Sequence, residues 1–161
     1  VGVWDSCFAD GAEGEVGMSH VRTQIRAAAK AWMEEITPGK VFGRVHPLKP
    51  GTFPGICVFF DEEAGSPDGA PVGATMRQMT LVIEPHVEGF DSDDDLDALA
   101  LQVEQQVFAD PTFGGVAMLG SVYEGARVES GPATQQMQYS KLRMQWVVIY
   151  RTKDGDPEHG I

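Results

Sequence analysis

Residues 56–61 read ICVFFD and residues 76–88 read MRQMTLVIEPHVE, joined by the turn-rich EEAGSPDGAPVG at 62–73. The first is an almost unbroken apolar run of strand length, as expected of a central strand covered on both faces. In the second, Met79, Leu81, Ile83, Pro85 and Val87 alternate with Gln78, Thr80, Glu84, His86 and Glu88. That period of two predicts a long strand with one buried face, and Pro85 predicts an edge or a bulge near its end. Two strands with one loop between them make a hairpin, the centre of a sheet.

Working outward, Val21, Ile25, Ala28, Ala29, Trp32 and Ile36 recur at helical spacing after Ser19, a good cap, while Arg22, Arg26 and Lys30 take the other face. Thr37-Pro38-Gly39 stops this helix, and a short strand is expected around Val41–Val45. After the hairpin, Ser92 or Asp91 can cap a second helix that carries Asp93, Asp94 and Asp95 in its first turn, where the helix dipole favours acids. Leu96, Leu99, Ala100, Val103 and Val107 form its apolar stripe, and Asp110-Pro111 ends it. A strand at Ser121–Glu129 and a last strand at Tyr139–Thr152 follow. In the last, Leu142, Met144, Trp146, Val148 and Tyr150 share one side. The predicted fold is α+β, in the order α-β-β-β-α-β-β, with two helices on a mixed, mainly antiparallel sheet of four to five strands. Residues 1–17 read as a flexible extension without period or basic residue, 18–152 as one domain, and 153–161 as a loose tail.

Across 161 residues, 24 acids against 12 bases give a net charge of −12, which argues against a basic groove for nucleic acid. No stretch is apolar enough for a membrane span. Two cysteines, Cys7 and Cys57, are too few for a disulfide framework and point to a reducing compartment. Residues 61–124 hold 14 acids and one base, Arg77, which reads as a single negative face. Asp91, Asp93 and Asp95 have the spacing of a calcium loop, but Leu96 stands where that loop needs glycine and Gln102 where it needs glutamate. His20, His46, His86 and His159 are scattered, so neither a zinc site nor any other metal or cofactor is expected. No nucleophile elbow or phosphate loop is present, Ser121 and Ser140 lack a base partner, and Cys57 reads as a buried, inert thiol. These features favour an interaction protein over an enzyme.

Four stretches then fall into a familiar order: HVRTQIRAAAKAWMEEI at 20–36, FPGICVFFDEEA at 53–64, MTLVIEPHVEGFDSDDDLDAL at 79–99 and LRMQWVVIYRT at 142–152. From Met18 to about Asp156 the chain resembles the tail terminator family of long-tailed phages, the lambda-type minor tail protein U. The resemblance implies a hexameric ring that caps the tail tube, stops its polymerisation and offers its other face to a head-completion protein at the neck. It also implies assembly in the host cytoplasm and a final place at the head-proximal end of the virion tail. The chain departs from the family in a longer 62–73 loop, a longer 130–141 connection and the N-terminal extension. The other readings are a different neck or tail-completion connector, or a small enzyme with an unrecognised site. Asp61, Glu62, Glu63, Asp68, Asp93, Asp94, Asp95 and Asp97 are the candidate partner-binding residues. They would face a basic ring, or line a lumen through which DNA passes without specific binding.

Overall fold

The computed structural model describes residues 19–44, 49–89, 92–130 and 138–161. The expected extension at 1–17, the end of the first strand at Val45, His46 and the acidic Asp91 lie outside the described residues. Two helices, α1 (Val21–Ile36) and α2 (Asp93–Ala109), cover one face of a six-stranded mixed sheet. Its strands are β1 (Val41–Phe42), β2 (Gly55–Ser66), β3 (Ala74–Glu88), β4 (Leu119–Ser130), β5 (Tyr139–Lys153) and β6 (Asp156–Gly160). The lateral order is β1-β2-β3-β5-β4, with β6 pairing the end of β5. The α+β class and the element order agree with the sequence reading, and β6 is the addition.

The hairpin extends further than its apolar runs. β2 and β3 pair antiparallel from Gly55–His86 to Ser66–Met76, so the expected 62–73 loop contracts to 67–73. Between Phe60–Leu81 and Glu63–Met79, β2 advances three residues while β3 advances two, which is a bulge. Pro85 does not mark an edge. β3 is central, and its ladder to β5 passes from Ile83–Met144 to His86–Lys141 across the missing Pro85 N–H.

β5 alternates as its sequence predicts, with Leu142, Met144, Trp146, Val148 and Tyr150 all buried towards the helices. Met79, Leu81 and Ile83 of β3 and Ile56 and Val58 of β2 complete that layer. From α1, Val21, Ile25, Ala29 and Met33 enter the core, and Trp32 stacks on Phe113 at 5.0 Å. The cap of α1 is His20 and not Ser19: its Nδ1 accepts from the Arg22 N–H at 3.2 Å. Arg22 and Arg26 are not on a solvent face either, since both guanidinium groups lie over the Phe60 ring, at 5.1 and 5.4 Å.

The tail is not loose. β6 pairs β5 at Thr152–Gly160 and Lys153–Asp156, and the Glu158 carbonyl accepts from Gln24 Nε2 of α1 at 2.8 Å. Polar composition hid this strand, because β6 is short and lies on the sheet's rim.

Candidate functional site

Eight acids of the middle segment, Asp61, Glu62, Glu63, Asp68, Asp93, Asp94, Asp95 and Asp97, are the partner-binding candidates, and the fold sorts them by what the flanks bring near. The bulge in β2 places Glu63 on the helix-facing side of the sheet, where it accepts from the Tyr150 hydroxyl and from Arg77 Nη1 at 2.8 Å. Arg22 of α1 adds an ion pair at 3.5 Å. Burial alone would raise the Glu63 carboxyl, but these donors hold it below the usual range. Glu63 is therefore an internal anchor.

On the opposite sheet face, Asp61 is held by Arg143 at 2.7 Å and by Arg44 at 3.4 Å. One row along, Glu84 is 4% exposed and pairs with Lys141 and Arg143, both at 3.3 Å. Burial favours its neutral form, yet the adjacent His86 ring and the Lys141 ammonium keep the carboxyl lowered. The His86 Nε2 stands 3.7 Å from Glu84, and its Nδ1 is 3.8 Å from the Cys57 sulfur. Burial and the Glu84 charge push the Cys57 thiol up to about 11, and the side chain is buried as its apolar strand implied. Sequence alternation placed Glu84 and His86 towards water. Cations from β5 bury them instead.

The remaining candidates stay free. Glu62 is exposed at the bulge, and Asp68 is exposed in the 67–73 turn, where its N–H donates to Ser66 Oγ at 3.0 Å. Asp93, Asp94, Asp95 and Asp97 are exposed on α2 and make no ion pair with a described residue. The two groups do not form one negative face. Glu63 lies opposite Met79, whereas Asp95 shares a groove with Val87 and Glu88, eight residues or roughly 27 Å along β3.

At 100° per residue the acids of α2 also diverge. Asp95 points to an open groove of about 460 Å³ floored by Phe53, Pro54, Val87 and Leu99. Asp97, Leu101, Glu104 and Phe108, at spacings of four, three and four, fall within roughly 60° of one another on the other flank. Leu101 is 57% and Phe108 52% exposed. This flank faces β4: the Glu104 charge, after burial, helps to raise the Tyr123 phenol. The register Tyr123–Trp146, Ala126–Met144 and Val128–Leu142 puts three β4 side chains on the helix-facing side of the sheet. The helices cover β2, β3 and β5 with no comparable packing on β4, so Ala126 and Val128 are exposed there. The result is an apolar trough along an edge strand, rimmed by carboxylates. Sequence reasoning missed Leu101 and Phe108 because they lie off the core stripe; the 97-101-104-108 spacing is the signal that could have found them.

Among the described residues no group of three or more His, Cys, Asp or Glu side chains could hold a metal ion. No described helix is long and apolar enough to cross a membrane. No family model and no curated relative matches the chain. Among solved structures, a chain of the virion of a native gene transfer agent (GTA) particle is similar at 17% identity, over 82% of this chain and 93% of that one, with a TM-score of 0.40. A likeness that distant carries no functional argument.

Proposed function

We propose that this chain is a structural protein of a phage virion, the tail terminator that forms a ring on the last ring of tail tube subunits and presents its other face to a head-completion protein. The observation that carries this reading is the lateral surface of α2 and β4. Free carboxylates and exposed apolar side chains share that one flank, while Asp61, Glu63 and Glu84 are held in internal ion pairs. Such a surface suits capture by other proteins. The four stretches that resemble the terminators supply α1, β2, β3, the start of α2 and β5, so the resemblance spans both layers of the fold. The free acids of α2 would keep a DNA lumen from holding phosphates, since they offer no counterion-releasing contact.

The test is tube capping. Purified protein added to polymerising tail tube subunits should shorten the tubes and decorate one end in electron micrographs. Unchanged tube lengths with bare ends would refute the terminator role.

A further inference from the structure

We propose that the trough between α2 and β4 receives the β1 edge of a second copy of this chain, in a head-to-tail contact that repeats around a ring. The choice of a second copy rests on the ring reading above; the surfaces themselves come from the geometry. β4 and β1 are the opposite edges of one sheet, four strand spacings or roughly 19 Å apart. At the β4 edge, Leu101, Phe108 and Val128 are more than half exposed beside the free carboxylates of Asp97 and Glu104. At the β1 edge stand cations. The Lys30 ammonium lies beside Gly43, Lys40 leads into β1 with its ammonium on the Phe53 carbonyl at 2.7 Å, and Arg44 follows it, half exposed and sharing the single carboxylate of Asp61 with Arg143. Within one copy none of Lys30, Lys40 and Arg44 makes an ion pair with Asp97 or Glu104. Stacking one copy's β1 edge on the next copy's β4 edge brings the two charge sets together and covers the apolar trough. Because the two patches differ and lie on opposite sides, the contact is heterologous, and it closes into a ring when its rotation divides a full turn.

The test uses three variants of the full chain: Leu101→Asp with Phe108→Ser, Asp97→Lys with Glu104→Lys, and Lys30→Glu with Arg44→Glu. Assembly mass is measured by light scattering over a concentration series, and folding by circular dichroism. The wild type should assemble, and the apolar pair should lower the assembled fraction by about tenfold or more with the fold retained. Each charge-reversed variant should fail alone, while an equimolar mixture of the two should reassemble, since each then offers the other a complementary edge. A wild type that is monomeric throughout overturns the contact. So does assembly unaffected by Leu101→Asp with Phe108→Ser, or a mixture that fails to recover. Tube capping, scored on the same samples, separates the two proposals. Capping that ignores all three variants overturns this contact and leaves the terminator role. Assembly as described without tube binding does the reverse.

Discussion

Among the described residues Trp146 is the largest fully buried side chain, on β5 facing the helices, with the Tyr123 ring 5.4 Å from its own. Trp146→Ala should destabilise the fold by about 3–5 kcal/mol in urea titration. Its indole N–H has no partner among the described residues, so Trp146→Phe, which deletes that donor and keeps an aromatic ring, should cost clearly less. Glu84 makes a second prediction at this scale. A carboxyl lowered by folding adds stability above its unfolded value and loses it as pH falls through the folded one. Thermal stability should therefore drop as pH falls below the ordinary glutamate value of about 4.3. Glu84→Gln should cost about 3 kcal/mol at pH 7, as expected when one partner of a buried pair is removed, and the difference from wild type should vanish in acid. A pH-independent difference would assign Glu84's role to packing instead of charge.

At the scale of elements, the start of α2 concentrates Asp93, Asp94, Asp95 and Asp97 in little more than one turn, and its cap residue Ser92 makes no side-chain hydrogen bond to the helix. The dipole contributes about 0.3–1 kcal/mol per acid, and mutual repulsion opposes it. Asp94→Asn with Asp95→Asn should leave the melting temperature equal or slightly higher; a marked fall would mean these carboxylates serve the fold. β6 makes the opposite prediction. Its Gly160 backbone lies against Val21, which is fully buried at the start of α1, and Glu158 holds Gln24. Removing residues 156–161 should cost about 1.5–3 kcal/mol, the worth of a buried valine-sized side chain, and hydrogen exchange should rise first at the start of α1. An unaltered exchange pattern would restore the tail to a bystander.

For the whole molecule, the proposed edge-to-edge contact pairs opposite charges near the surface, so assembly should weaken as salt is raised from about 0.05 to 0.5 M and the screening length shrinks. Light scattering that shows assembly rising with salt instead would make the apolar trough the dominant attraction.

Periodicity alone placed the two helices and the long strands, though not β6, because it records which side of each helix or strand must leave water. The alternation of Leu142 to Tyr150 and the stripe Leu96 to Val107 needed no knowledge of neighbours, and both are buried as their period requires. Which charges stay free depends on contacts between segments far apart in the chain. The bulge between Phe60 and Glu63 turns Glu63 towards the helices, because one inserted residue exchanges the two faces of a strand. Glu84 is buried because β5, some sixty residues away in sequence, sets Lys141 and Arg143 beside it. The trough over β4 exists because two helices span three inner strands and leave the edge uncovered. Each of these depends on distances between segments far apart in the chain, which local sequence does not encode one residue at a time.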